Sequence, residues 1–217
     1  MSRATASDGT QLAFDVLGRP GATPVLLIQG LGADRTAGLL QRLALAPRWR
    51  TIGFDNRGVG RSDKPQGRYD LDVMADDAAR VLDACGLESA HVIGHSMGGV
   101  IAQLLVLRHP DRVRSLVLSA SACHHHMWRR ELLAEWASIA VEQGMREVSR
   151  RSMRWLVGPR SLRRYWPALG VLGPLALNVP AHAFAAQARA ILDADDSLRD
   201  RLVEVRVPTL VVSGSQD

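Results

Sequence analysis

Apolar positions recur along this chain with two periods, and the switching between them lays out an order of elements. Near the start, Leu12, Phe14 and Val16 alternate with polar or small neighbours and Asp8-Gly9 supplies a turn, so residues 4–17 are expected to form an opening hairpin. After a loop, Pro24-Val25-Leu26-Leu27-Ile28 is an unbroken apolar run suited to a strand covered on both faces, and it ends at Gln29-Gly30-Leu31-Gly32. A helix is expected over roughly 36–46, stopped by Pro47, and then a strand over 49–54. Leu71, Met74, Ala78, Val81, Leu82 and Cys85 fall on one face of a helix running from Asp70 to Cys85, with Gly86 closing it. His91-Val92-Ile93 forms the next strand. Val100, Ile101 and the run 104–107 then predict a largely buried helix ended by His109-Pro110. Residues 114–120 form another strand. Strand and helix thus alternate from 24 to 120, which predicts an α/β fold with a mostly parallel sheet and helices on both faces.

From Ser121 to about Asp193 the pattern changes. Leu132, Leu133, Trp136, Ile139 and Ala140 mark one helix, and Met145, Val148, Trp155 and Leu156 a second. Gly158-Pro159 breaks the run, a Pro/Gly-rich stretch covers 167–180, and Pro180 can start a third helix with Phe184, Gln187, Ala188 and Ile191 on one face. These residues are expected to form an inserted helical cap. The domain organisation expected is therefore a core of 1–120 and 194–217 with a cap or lid of 121–193. The strand Val207–Gly214 returns to the core and runs into Ser215-Gln216-Asp217.

The chemistry gathers at Ala90–His109. Gly94-His95-Ser96-Met97-Gly98 has the form G-x-S-x-G between a buried strand and a buried helix. Such a bend raises a serine hydroxyl above the strand end, glycines let strand and helix approach, and the helix N-terminus offers N–H groups to an oxyanion. A serine at a bend can also serve only as a helix cap. The buried strand before Ser96 and the buried helix behind it favour the nucleophile, a nucleophile elbow. A second glycine-rich turn, Asp55-Asn56-Arg57-Gly58-Val59-Gly60-Arg61-Ser62, lacks the G-K-[ST] ending of a phosphate loop. Asp55 and Arg57 are instead expected to tie it by charged hydrogen bonds.

Composition narrows the classes. The net charge of +5 is almost entirely arginine, Lys64 being the only lysine, and the arginines are dispersed apart from a concentration over 129–164. A nucleic-acid partner would call for a compact basic patch with a recognisable motif, and neither is present. Those arginines are read first as solvated surface, with a substrate carboxylate as the second use. No run is apolar enough to span a bilayer, and MSRATASDG lacks the apolar stretch of a signal peptide. Cys85 and Cys123 are isolated, Cys85 on an apolar face, as in a reducing compartment. A cytoplasmic protein with no membrane partner is expected. Trp128, Trp136, Trp155, Tyr165 and Trp166 all lie in the cap and suit an apolar or mixed acyl substrate, or simply the cap's own core.

Taken together, Gln29–Gly32, Asp55–Ser62, Gly94–Gly99 and Gly214–Asp217 resemble the α/β-hydrolase fold superfamily, in family order and over the whole chain. The likeness is nearest to small capped bacterial esterases and lactonases. It implies Ser96 as nucleophile, the backbone N–H groups of Leu31 and Met97 as oxyanion hole, and Asp217 as the acid that orients a histidine. No cofactor and no metal are implied. The substrate would be a small carboxylic ester or lactone, cleaved through an acyl-enzyme. Acyl transfer, perhydrolysis, C–C bond hydrolysis, and a non-catalytic binding role share the same features.

Two departures from the family pattern stand out. Gln29 replaces the histidine that usually begins the oxyanion loop, and its amide can also hydrogen-bond there. The general-base histidine, expected after Asp217, is absent from the 217 residues. His95 should point away from the attack site. His91, His109 and His182 are poorly placed, and consecutive His124-His125-His126 cannot all face one metal ion from regular structure. The sequence is accordingly expected to be a fragment lacking the last strand and helix, inactive without its base, with apolar sheet surface uncovered.

Overall fold

The structure, a computed structural model, describes residues 2–124, 126–156, 158, 160, 163–164, 179–194 and 197–214. A seven-stranded sheet carries the fold. Its strands are β1 (Ser2–Thr5), β2 (Gln11–Leu17), β3 (Pro24–Ile28), β4 (Arg50–Phe54), β5 (Ala90–His95), β6 (Val113–Ser119) and β7 (Thr209–Val212), in the spatial order β1-β2-β4-β3-β5-β6-β7. β1 and β2 form the expected hairpin, and β2 also runs antiparallel to β4. Every pairing from β4 through β3, β5 and β6 to β7 is parallel.

Among the described residues the helices include α1 (Leu39–Leu45), α2 (Leu71–Ala84), α3 (Met97–Arg108), α4 (Met127–Gln143), α5 (Met145–Leu156), α6 (Ala181–Asp193) and the short α7 (Leu198–Arg201). They flank both faces of the sheet. Gly94 of β5 faces α3, since a Cβ on it would stand 2.4 Å from the Gly98 carbonyl oxygen. Gly53 of β4 faces the other way, where a Cβ would strike the Arg42 guanidinium of α1. Leu12, Leu26, Ile28, Ile52, Phe54, Val92 and Leu116 are buried between these layers. α2 starts where Asp70 caps it, its carboxylate accepting from Asp72 N at 2.7 Å, and its apolar face is buried as the spacing requires.

Helix α1 departs from expectation. A 3-10 turn over Arg35–Gly38 precedes it, so the helix proper is shorter than the pattern predicts. Its one buried residue is Arg42, while Leu40 and Leu43 are exposed. The guanidinium lies over the bare backbone of Gly53 and reaches the carboxylate and carbonyl of Asp15 on β2. A strong charged bond at the sheet thus overrides the leucine pattern on this helix.

The helices of 127–193 pack largely on each other, α4 against α6 and α5 against α4. Ala137 of α4 meets Ala185 and Ala188 of α6, with Leu31 of the sheet loop against them. Among the described residues no helix is long and apolar enough to cross a membrane. Strand β7 is exposed at every position, Leu210 and Val211 included.

Candidate active site

Ser96 stands between β5 and α3 with φ 52° and ψ −121°, a backbone region that side-chain-bearing residues avoid. The bend is held from both sides. Ser96 N donates to the Ser119 carbonyl at 2.9 Å, and the Ser96 carbonyl accepts from Gly99 N at 2.9 Å and from Ser121 Oγ at 3.0 Å. The flanking glycines leave no room for a side chain: a Cβ on Gly98 would lie 2.2 Å from the Ile28 carbonyl oxygen. The strain is therefore over-determined by neighbouring backbone, and Ser96 remains partly open to solvent.

The loop after β3 passes directly beside this serine. A Cβ built on Gly30 would be 3.6 Å from Ser96 Oγ. Ala33 N donates to the Gly30 carbonyl at 3.2 Å, closing a turn with Leu31 and Gly32 at its centre, and φ +70° at Gly32 suits the third position of a type II turn. A trans peptide points its N–H opposite to its C=O. With the Gly30 carbonyl turned inward, the Leu31 N–H is turned out of the turn. Met97 N is the first amide of α3, one of the donors a helix leaves unused. Neither amide has an acceptor among the described residues. A hydroxyl beside two unpaired amides can attack a carbonyl and stabilise the oxyanion that results.

What holds the turn differs from expectation. The Gln29 amide packs over Gly38 and makes no hydrogen bond to the loop among the described residues. Asn56 Nδ2 instead donates to the Gln29 carbonyl at 3.1 Å. From the far side Gln187 of α6, fully buried, accepts from Gly32 N at 2.9 Å through Oε1 and donates to the Arg57 carbonyl at 2.8 Å through Nε2. Sequence reasoning placed Gln187 on a buried helix face without a role. The available signal was a lone amide among apolar neighbours, because a buried amide demands partners.

Asp55 and Arg57 do tie the second loop, through one partner within it and others distant in the chain. The Asp55 carboxylate accepts from Arg35 N and Arg61 N, each at 2.8 Å, and from the Arg35 guanidinium. Arg57 reaches Asp77 of α2 at 2.6 and 2.8 Å and Asp8 at 2.8 Å. Burial opposes the charge on Arg57, yet these two carboxylates outweigh it and hold its pKa above the ordinary value. Burial pushes the Asp77 carboxyl up, against the pull of Arg57. Nearby, burial pushes the Tyr69 phenol up to about 12, and its hydroxyl donates to the Pro65 carbonyl at 3.0 Å, so it is a donor and not a base at neutral pH.

No described histidine contacts the Ser96 hydroxyl. His95 turns its ring toward Ser119, His91 bonds the Ser115 hydroxyl, His109 bonds Asp76, and His182 lies by Lys64 and Gln66. His124 and His126 pack edge to face, and His125 lies outside the described residues. Among the described residues no three metal-ligating side chains converge. Asp217, Tyr165 and Trp166 also lie outside the described residues. Trp136 is buried, while Trp128 and Trp155 stack at 6.1 Å on the surface. Arg150 and Arg151 of α5 pair with Glu147, and Arg154 lies over the Trp155 ring. A cavity of about 330 Å³ lies between α6, Val141 and Gly67–Tyr69, but Ser96, Leu31 and Met97 do not line it. Backbone geometry, not cavity size, marks this site.

A family model described as alpha/beta hydrolase fold matches residues 23–142, more than half of the chain. A putative carbamate hydrolase RutD from Azorhizobium caulinodans is 35% identical over 202 residues, 90% of this chain and 74% of that protein. The 3-oxoadipate enol-lactonase 1 of Acinetobacter baylyi is 28% identical over 214 residues, covering 98% of this chain and 78% of its own. The crystal structure of the enol-lactonase from Burkholderia xenovorans superposes with a TM-score of 0.90 at 26% identity, over 99% of this chain and 81% of that one. With its mostly parallel sheet and flanking helices, the chain belongs to the α/β-hydrolase fold family and is an enzyme of the hydrolase type.

Proposed function

We propose that this hydrolase cleaves a small carboxylic ester or lactone through an acyl-enzyme on Ser96. The observation that carries the reading is the strained Ser96 beside a turn whose Leu31 amide, like that of Met97, has no acceptor among the described residues. In this reading Ser96 Oγ attacks the substrate carbonyl. The Leu31 and Met97 N–H groups receive the oxyanion, and collapse of the tetrahedral intermediate expels the alcohol. Water then releases the acid from Ser96. A histidine oriented by Asp217 takes the Ser96 proton and returns it to the leaving oxygen. None of the described histidines fills that place. Residues 121–193 act as the cap that excludes water. The alanines against Leu31 give that cap an apolar underside, which supports an apolar or mixed acyl group. The enol-lactonase relative supports a lactone. The likeness to RutD supports a second reading, a carbamate, whose carbonyl is open to the same attack. No cofactor enters. Both cysteines are free thiols, which fits a cytoplasmic protein.

The test is turnover of ester, lactone and carbamate panels by the full-length protein, since this chain spans only about four-fifths of the solved relative's length. Ser96→Ala is expected to lower kcat by about 10⁴-fold or more and to abolish labelling by a fluorophosphonate. Undiminished turnover by Ser96→Ala would remove the mechanism.

A further inference from the structure

We propose that Gln187 is a positioning residue for the oxyanion donors, so that the geometry of the hole is set from the cap as well as from the sheet. The inference rests on the acyl-enzyme reading above and adds a residue to it.

A fully buried glutamine is costly unless both ends of its amide are bonded. Here both ends are bonded, and each partner is the backbone of a loop beside the site. Oε1 takes the Gly32 N–H, within the turn that presents Leu31, and Nε2 gives to the carbonyl of Arg57, within the loop from β4. One planar amide thus spans two loops contributed by β3 and β4. Gly32 has no side chain to steady it and sits at positive φ, and among the described residues Gln187 is the hydrogen-bond partner of its N–H. Holding that peptide plane restricts ψ at Leu31, and the Ala33-to-Gly30 bond restricts the peptide on the other side. Between them the direction of the Leu31 N–H is fixed. An oxyanion donor is effective only when already aimed at the developing charge.

Around Gln187 the contacts are small and weakly directional. Ala185 and Ala188 of α6 meet Ala137 and Leu31. Such a surface allows sliding, whereas two hydrogen bonds to fixed backbone do not. Gln187 therefore couples the seating of α6 to the shape of the hole.

The experiment compares Gln187→Met, similar in length but unable to bond, with Phe184→Leu, which loosens α6 at a buried position and removes no hydrogen bond to the turn. Both are made in the full-length protein. Gln187→Met is expected to lower kcat about 10- to 100-fold with KM changed less than about threefold, and to slow fluorophosphonate labelling of Ser96 in parallel. Phe184→Leu is expected to lower Tm with kcat nearly unchanged. Amide hydrogen exchange at Gly32 should be slow in the parent and fast in Gln187→Met. A kcat within twofold of the parent, or a loss confined to KM, would overturn the proposal, as would equal kcat losses in both variants. Should Gln187→Met fail to fold, Gln187→Glu decides. It keeps an acceptor for Gly32 and is expected to retain slow exchange there with kcat reduced less than about tenfold. Collapse of kcat while Gly32 stays protected would overturn the proposal. Failure of the nucleophile reading is separate: it would appear as turnover by Ser96→Ala, whereas Gly32 exchange reports the Gln187 contact regardless of mechanism.

Discussion

The sheet side and the helical side of this site are built from different materials. On the sheet side, Ser96 is held at positive φ by backbone packed too closely for a Cβ at Gly94 or Gly98, over a layer of buried Leu26, Ile28, Ile52 and Phe54. On the helical side, Ala137 of α4 meets Ala185 and Ala188 of α6 against Leu31, Trp128 and Trp155 stack in the open, and a buried glutamine makes the link to the turn. A residue held in a strained conformation needs many rigid neighbours to keep it there. A helical layer needs only enough contact to seat, and a few directional bonds to register where it sits.

The difference should be measurable as stability. Phe54→Ala, fully buried in the sheet, is expected to cost about 3–5 kcal/mol, whereas Trp155→Ala, half exposed, should cost less than about 1 kcal/mol. Urea midpoints at constant m would show it, and similar losses would break the contrast.

A second contrast concerns charge. Asp77 and Arg57 are buried side by side where α2 meets the loop from β4, so Asp77→Asn should cost about 3 kcal/mol by leaving Arg57 short of its partner. On α5, Arg150 and then Arg151 hold the Glu147 carboxyl down at about 2, yet Arg150 is exposed and Glu147 and Arg151 are only half-buried, so solvent screens the cluster. Glu147→Gln should leave the urea midpoint unmoved. A large effect there would place real folding energy in the helical segment.

A further expected effect is a pH dependence carried by the sheet side. The hydrogen bond from Arg57 is the main cause holding the Asp8 carboxyl low. For Asp15, burial raises the carboxyl but Arg35 and Arg42 outweigh it and leave it lowered. Both native values lie below 3.8, so the unfolded chain binds protons first as acid is added. Their contribution is complete above about pH 5 and falls away as pH drops below about 4. Asp15→Asn should lose stability at pH 7 and flatten the acid limb of a urea-midpoint series. A steeper acid limb in the variant would contradict the assignment.

Much of the fold was legible in the residues alone. The hairpin at Asp8-Gly9, the buried run Pro24–Ile28, the face of α2 and the helix beginning after Pro180 follow from local periodicity and turn chemistry, which neighbouring residues settle among themselves. The G-x-S-x-G bend was legible for the same reason, since strand, serine, glycines and helix are contiguous. The sequence by itself thus determined the order of elements and the position of the elbow. Only the tertiary structure decided that Arg42, and not Leu40 or Leu43, turns inward from α1, because Asp15 of β2 pairs beside Gly53 of β4, beneath the guanidinium. It also decided that Asp55 is held by Arg35, that Arg57 is shared by Asp8 and Asp77, and that Gln187 grips Gly32 across 155 residues. Such contacts have no local signature. Each exists because the folded sheet brings distant polar groups together where water cannot bond them, so they must bond one another.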